Sequence, residues 1–162
     1  MTSSLSTKQA FAEFSRILQA SGVRDALGYL VGLSDYRFIG IFRFEAGMAT
    51  AAVHYDKADP SVLRSAEVPD TATYCCFVRD TGGVFTTANA LTDERLQGHV
   101  AREAVQAYCG VPVMDAEGRL LGTLCHYDVV PRDPEQLDLQ LLLQVASTLA
   151  YGHHVPPYPA PG

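Results

Sequence analysis

The chain has 162 residues, of which 48% are hydrophobic and 19% charged, and its formal net charge is −6. A chain of this length most simply forms one domain, and its composition is that of a globular protein rather than of a disordered one. The negative charge and the lack of any run rich in lysine or arginine argue against nucleic-acid binding, because phosphate contacts need a basic surface.

The N-terminus has none of the features of a targeting segment. Residues 1–18, MTSSLSTKQAFAEFSRIL, lack the basic start and the unbroken apolar core of a signal peptide. No apolar run reaches the roughly 18 residues of a membrane span. We therefore expect a cytoplasmic protein that contacts no membrane, in which the four cysteines stay reduced and form no disulfide framework.

The first third of the chain predicts two helices and a hairpin. Four apolar side chains at helical spacing indicate an amphipathic helix over residues 7–20, and Gly22 separates it from a second short helix over 23–32. Residues 36–56 are typical of two strands around a turn at 45–47. These elements are expected to form one half of a sheet and its cover.

The middle of the chain predicts shorter elements. Asp70 and Thr71 are candidate N-caps of a helix that ends near residue 80, where two glycines follow. Residues 84–90 have the composition of a short strand, and residues 92–105 predict one or two helical pieces.

Residues 108–128, YCGVPVMDAEGRLLGTLCHYD, predict a hairpin with its turn centred on Ala116 and Glu117. That register places Tyr108 opposite Cys125, and alternation along a strand then sorts the side chains onto two faces. One face carries Tyr108, Thr123, Cys125 and Tyr127, and the other carries Cys109, Leu124 and His126. Cys109 and Cys125 can then neither pair nor share a metal, although a slip by one residue would reverse this conclusion.

A final helix is predicted from about Glu135 to Tyr151, followed by a Pro-rich tail at 153–162, so that residues 1–152 form the single domain. The apolar stripe of this helix is wider than one sheet contact requires, which favours a homodimer built through it. Burial of the helix between its own sheet and the first helix is the alternative.

The spacing of cysteines and histidines bears on possible metal and thiol sites. The adjacent pairs Cys75–Cys76 and His153–His154 do not match the spacing of zinc ligands, and we expect no structural metal. Cys75 and Cys76 lie near the start of a predicted helix, where a thiol pKa can be lowered. Buried cysteine that acts only as a small hydrophobic residue is the alternative.

The hairpin sequence resembles a known family. Residues 108–132, YCGVPVMDAEGRLLGTLCHYDVVPR, are similar to the distal half of a GAF domain, which reads Y/F-x-G-V-P-L, a turn with D-G, then G-x-L-C and an aspartate just before Pro-Arg. Residues 71–96 resemble the cap helix of the family and the segment that follows it. The resemblance extends over residues 5–152.

The resemblance implies an α+β fold with a central antiparallel sheet of about five or six strands. Terminal helices would pack on one face, and short helices and loops would enclose a small-molecule pocket on the other. Members commonly dimerise through their terminal helices and sense a ligand. The resemblance therefore implies a small-molecule sensor that acts as a homodimer on a separate signalling protein, with no ligand or cofactor specified.

The ligand-binding residues expected from the register and the resemblance together fall into three groups. The sheet floor would consist of Tyr108, Thr123, Cys125 and Tyr127, and the cap helix would supply Tyr74, Cys75 and Phe77. Arg102 could pair with an anionic ligand, or it could be a solvated charge on a helix surface. His54 and His99 are further candidates.

Two alternative functions remain open from the sequence. Residues 99–104, HVAREA, resemble the H-I-A-C-D-A of the free methionine-R-sulfoxide reductases, but Arg102 occupies the position of their nucleophilic cysteine. Their substrate-binding acids would fall near Tyr108, Cys125 and Tyr127, none of which is acidic. A dimerisation scaffold whose pocket is filled by its own side chains is the other alternative.

Overall fold

The computed structural model describes residues 6–62, 68–69 and 72–154. The helices are α1 (Thr7–Ser21), α2 (Val23–Val31), α3 (Cys75–Thr81) and α4 (Leu139–Tyr151). The strands are β1 (Phe38–Glu45), β2 (Met48–Asp56), β3 (Val68–Pro69), β4 (Phe85–Thr87), β5 (Ala107–Met114) and β6 (Leu120–Asp128). None of the helices in these ranges has the length and apolar character that crossing a membrane requires.

The strands form one sheet in the order β3-β2-β1-β6-β5-β4, and every neighbouring pair is antiparallel. The two central strands, β1 and β6, come from the N-terminal and C-terminal hairpins, so their pairing joins the two halves of the chain. The predicted α+β class with an antiparallel sheet of five or six strands is confirmed.

Helices α1, α2 and α4 cover one face of the sheet. Helix α1 begins at a capping box, in which Ser6 and Gln9 satisfy each other's backbone N–H groups. Its buried residues follow at intervals of four, Ala10, Phe14 and Leu18, and pack in a core that includes Leu149 of α4. The predicted amphipathic helix at 7–20 therefore packs its apolar stripe against α2 and α4, which in turn contact the sheet.

Helix α4 begins at Leu139, four residues later than predicted, because Asp138 caps it by accepting a hydrogen bond from the Leu141 N–H. The preceding Pro134–Gln136 forms a separate 3-10 helix. Most of the apolar stripe of α4 is buried within the chain, against α1 and β5. The width of the stripe thus has an explanation within one chain, and the homodimer stays a prediction.

The β5–β6 register differs by two residues from the predicted one, since Tyr108 pairs with Tyr127 and Gly110 with Cys125. One residue of the difference comes from a loop of three rather than two residues between Asp115 and Arg119, and the other from a bulge at Leu121. A shift by two residues leaves each side chain on the same face. The predicted register is therefore wrong, but the predicted assignment of side chains to the two faces is correct.

Two predictions in the middle of the chain require correction. Residues 92–105 form a 3-10 helix at Glu94–Leu96 and then turns, because Gly98 takes a left-handed φ of 82° that ends helical geometry. Helix α3 begins only at Cys75, with Tyr74 at its N-cap. The predicted caps Asp70 and Thr71 lie outside the described residues, as does most of the predicted tail.

Candidate functional site

A cavity of about 300 Å³ lies on the sheet face opposite the three large helices. Its floor comes from β1, β5 and β6, one wall from the start of α3, and the other wall from the turns at 100–105. Its lining consists of Phe42, Ala72, Thr73, Tyr74, Cys75, Val100, Ala101, Ala104, Val105, Tyr108, Cys125 and Tyr127.

Glycines shape the floor of the cavity. A Cβ on Gly110 would lie 2.2 Å from the hydroxyl oxygen of Tyr108, so the ring of Tyr108 lies along its own strand over Gly110. A Cβ on Gly40 would lie 2.8 Å from the ring of Phe42, which covers Gly40 in the same way. Each ring can lie over the sheet because the glycine two positions away on its own strand has no side chain.

Tyr74 connects the two walls. Its hydroxyl donates to the carbonyl oxygen of Val105 at 2.7 Å, and its ring packs edge-on against Tyr108 with 5.6 Å between centroids. The side chain is buried, which raises the pKa of the phenol to about 12 and keeps it a donor. Tyr74 is thus a structural tie across the cavity as well as part of its lining.

Cys75 is the most strongly hydrogen-bonded thiol of the cavity. Its sulfur accepts from the Tyr108 hydroxyl and from the Thr123 hydroxyl, each at 3.2 Å. Burial by itself raises the pKa of Cys75, but hydrogen bonds, led by the one from Cys125, outweigh burial and lower it below the ordinary value of a thiol. The pKa of Cys125 is raised well above that value, mainly by burial.

His54 and Tyr127 form a second polar pair at the cavity. The ring nitrogen Nε2 of His54 lies 2.6 Å from the Tyr127 hydroxyl, while Nδ1 is buried without a hydrogen-bond partner among the described residues. Burial lowers the pKa of His54, so the ring is neutral near pH 7. An orphaned buried N–H is rarer than an orphaned acceptor, so we assign the proton to Nε2, which then donates to the Tyr127 hydroxyl oxygen.

The other predicted site residues lie around the cavity rather than in its lining. Thr123 is buried behind Cys75, and Phe77 stacks on Phe85 at 4.6 Å between centroids. His99 packs against Tyr74 at 4.9 Å and accepts the Ala101 N–H at Nδ1. Arg102 donates its side-chain N–H groups to the carbonyl oxygens of Ala90 and Leu91. Five of the ten predicted residues, Tyr74, Cys75, Tyr108, Cys125 and Tyr127, line the cavity.

The described lining contains no carboxylate, ammonium or guanidinium group. Its polar atoms are the hydroxyl groups of three tyrosines and one threonine, two thiols and backbone groups. In the described part of the chain, no three His, Cys, Asp or Glu side chains are grouped in a way that could hold a metal ion. The described lining is thus uncharged.

Sequence reasoning missed the aliphatic wall and one aromatic ring. Phe42 follows Gly40 at the spacing that lets a ring cover a glycine, and this i, i+2 pattern could have identified it. Val100, Ala101, Ala104 and Val105 come from a segment predicted to be helical, in which a helix would have turned part of them away from the sheet. No sequence signal marks them as cavity residues.

Comparisons with known proteins agree with this architecture. A family model described as GAF domain matches residues 11–152. A search of the curated proteins finds no match. Among solved structures, the GAF domain of an Acinetobacter phosphoenolpyruvate-protein phosphotransferase has 13% identity and a TM-score of 0.69, covering 91% of this chain and 92% of that one.

Free methionine-R-sulfoxide reductases are also similar in fold. The enzyme from Neisseria meningitidis, solved with its substrate, has 13% identity and a TM-score of 0.69 over 93% of this chain and 92% of that one. The type II enzyme from Thermoplasma acidophilum has 16% identity and a TM-score of 0.59 over 86% and 92%. At these sequence identities the structural similarity shows a shared fold only. The family model, in contrast, matches residues 11–152 of the sequence itself. The chain belongs to the GAF domain family.

Proposed function

We propose that this chain is a small-molecule sensor whose cavity binds an uncharged, mainly apolar ligand. The absence of a charged group from the described lining carries the proposal. A charged ligand buried there would lose its hydration without gaining an ion pair, which costs several kcal/mol. Since one water molecule occupies about 30 Å³ of liquid, a cavity of 300 Å³ has room for about ten non-hydrogen atoms.

The lining also favours particular chemical groups in the ligand. The rings of Phe42, Tyr74 and Tyr108 offer faces and edges to an aromatic or unsaturated group. The free O–H of Tyr127 offers one hydrogen bond to an acceptor such as a carbonyl oxygen. An aryl ketone combines both features in about ten non-hydrogen atoms and suits the volume of the cavity.

Propiophenone and benzoate are matched probes of this proposal, since both are flat aromatic acceptors of similar size but only benzoate is charged. We expect propiophenone to shift the backbone amide signals of cavity residues in two-dimensional NMR spectra, with an affinity at least about tenfold higher than that of benzoate. Equal or stronger binding of benzoate would contradict an uncharged ligand. Binding of neither probe would count against a ligand cavity and favour the scaffold alternative.

A matched pair of variants locates the binding. Ala104 is an exposed residue at the mouth of the cavity, and Ala104→Trp is expected to abolish the propiophenone shifts by filling it. Ala116 is exposed in the β5–β6 turn, away from the cavity, and Ala116→Trp should leave the shifts unchanged. Loss of binding in both variants, or in neither, would place the ligand elsewhere.

The reductase alternative is supported by the position of Cys75 in the cavity wall. Free methionine sulfoxide, however, carries both a carboxylate and an ammonium group, and the described lining offers neither of them an ion-pair partner. Arg102, at the position of the reductase nucleophile, is engaged with backbone carbonyl groups outside the lining. Free methionine sulfoxide is therefore expected to behave like benzoate in the NMR comparison.

The sensor is further proposed to act as a homodimer on a separate signalling protein. Leu139 and Leu143 lie one turn apart on α4 and are 39% and 44% exposed, so they present a small apolar surface on the helix-covered side. A helix of the same sheet face, α1, packs beside α4 and could extend that surface. Contact through α4 would connect the dimer to the sheet, because α4 packs directly on β5.

If this surface forms the dimer, Leu143→Glu should shift the protein toward the monomer, since the new carboxylate would be buried against the partner. Analytical ultracentrifugation of the full chain over a range of concentrations measures the dissociation constant. Leu91→Glu makes the same change at a residue that is 41% exposed on the cavity side, and should leave the dissociation constant unchanged. A wild-type chain that stays monomeric at all concentrations would refute the homodimer.

A further inference from the structure

The wall of the cavity contains a nucleophile that the binding of an uncharged ligand does not by itself require. Cys75 stands at the first position of α3 with its side chain toward the sheet. Its sulfur lies in the lining together with that of Cys125, and the hydroxyl groups of Tyr108 and Thr123 donate to it. Two oriented donors on one sulfur stabilise a thiolate more than a thiol, because the thiolate is the stronger acceptor.

The three other cysteines are placed differently. Cys109 lies in the core on the helix-covered face, where burial raises its pKa to about 12. Burial likewise raises the pKa of Cys125, and Cys76 does not line the cavity. Since the thiolate is the reactive form of cysteine, the cavity contains one favoured nucleophile, Cys75.

The second feature is the donor on the opposite side of the lining. With the proton of His54 on Nε2, the Tyr127 hydroxyl accepts from the imidazole, so its own O–H is not used in this hydrogen bond. A hydroxyl that accepts a hydrogen bond is a better donor, because successive hydrogen bonds polarise one another. A carbonyl oxygen bound to Tyr127 would have its attached carbon chain in the same small cavity as the Cys75 sulfur.

We propose that the sulfur of Cys75 adds covalently to small α,β-unsaturated carbonyl compounds that enter the cavity with their carbonyl oxygen on the Tyr127 hydroxyl. This inference rests on the proposed function of the same cavity and names the chemical class of its ligand. The sulfur forms a bond to the β-carbon of the C=C group. The π electron pair of the C=C bond moves toward the carbonyl group, and the α-carbon then takes up one proton. The thiol thus adds across the double bond, with no leaving group and no oxidant or reductant.

Residues around the cavity can assist each part of the addition. The Tyr127 O–H stabilises negative charge that develops on the carbonyl oxygen during addition. The titratable groups that face Cys75 are the thiol of Cys125 and the phenols of Tyr108 and Tyr127, all neutral when Cys75 reacts. The aromatic and aliphatic walls select unsaturated carbonyl compounds without charge.

Phenyl vinyl ketone tests the inference, because it differs from propiophenone only in its C=C bond. We expect intact-mass spectrometry of the full chain with one equivalent of this probe to show a single addition, and peptide mapping to place it on Cys75. The rate should saturate with probe concentration, since addition follows binding. First addition at another cysteine, or a rate linear in concentration and equal to that of the urea-unfolded chain, would overturn the proposal.

Four variants assign the roles of these residues. Cys75→Ser should lose the first addition, and Cys109→Ser should keep it at the wild-type rate. Tyr127→Phe should slow the addition by about tenfold, the effect of one hydrogen bond. Thr123→Val should raise the pH at which the addition rate is half-maximal, because one donor to the sulfur is lost. This pH shift does not depend on whether Cys75→Ser folds, and a wild-type pH profile in Thr123→Val would contradict the assignment of Cys75.

The two probes separate the two proposals. If propiophenone binds but phenyl vinyl ketone leaves Cys75 unmodified, the covalent step is wrong and the uncharged ligand site remains. Both proposals fail if propiophenone does not bind and if phenyl vinyl ketone adds to Cys75 no faster in the folded chain than in the unfolded chain. Saturable addition to Cys75 together with propiophenone binding supports both.

Discussion

Replacing Gly122 by alanine is expected to lower the free energy of unfolding by about 3 kcal/mol, the upper part of the range for overpacked sites. A Cβ at this position would lie 2.2 Å from the carbonyl oxygen of Phe42, far inside van der Waals contact. The obstacle is the backbone of β1, which is fixed by pairing with β2 and β6, so no side-chain rotation relieves the clash. Urea denaturation followed by circular dichroism measures the loss.

Gly83→Ala is the matched control. The nearest atom to a Cβ at Gly83 is the Thr81 hydroxyl oxygen at 3.8 Å, which is ordinary contact. This variant should be as stable as the wild type or slightly more so, because alanine restricts the unfolded chain. A loss below about 1 kcal/mol in Gly122→Ala would mean that β1 and β6 move apart at little cost, contrary to the close sheet described here.

Acidification is expected to destabilise the fold between about pH 6.5 and pH 5, before most carboxylates titrate. Burial, assisted by the positive charge of Lys57, lowers the pKa of His126 to about 3 in the folded chain. The unfolded chain, with an ordinary histidine pKa of about 6.5, therefore binds the proton first, and stability is lost as the pH falls below that value. At one proton and about 1.4 kcal/mol per pH unit, the loss approaches 2 kcal/mol at pH 5.

His126→Phe isolates this contribution. The side chain packs edge-on against Tyr36 at 5.8 Å, and its Nδ1 has no partner among the described residues, so an aromatic ring without a titrating group suits the site. We expect the slope of unfolding free energy against pH to fall by about one proton between pH 6.5 and pH 5, with unchanged slope above pH 7.5. The remaining slope should come from His54 and His99, whose pKa values burial also lowers. An unchanged slope would show that His126 is protonated in the folded state.

The face of each residue on β5 and β6 could be predicted from the sequence, because alternation along a strand depends only on parity. The register could not, because it depends on the three-residue loop at Asp115–Arg119 and the bulge at Leu121. The two errors summed to two residues and left the faces correct, which is why Tyr108, Cys125 and Tyr127 were placed on the cavity side. With only one of these irregularities, Tyr108 would pair with His126 and share a face with it rather than with Cys125 and Tyr127.

Residues between regular elements were the least predictable part of the site. Arg102 was expected near a ligand from the resemblance, with a solvated charge on a helix surface as the alternative, and the turns there direct its hydrogen bonds to Ala90 and Leu91. Its role toward an anionic ligand stays a prediction that the benzoate comparison addresses. Local propensity does not specify such turns, since tertiary contacts such as Tyr74 to Val105 hold them in place.

The sequence by itself determined the terminal helices, the two hairpins and the family, because hydrophobic periodicity and the motif at 108–132 are local properties of the chain. Only the tertiary structure decided which polar atoms meet. Cys75 and Thr123 are 48 positions apart, and His54 and Tyr127 are 73 apart, yet each pair is in hydrogen-bond contact. Such contacts depend on strand register, loop path and packing acting together. The chemistry of the cavity therefore becomes visible only when the chain is folded.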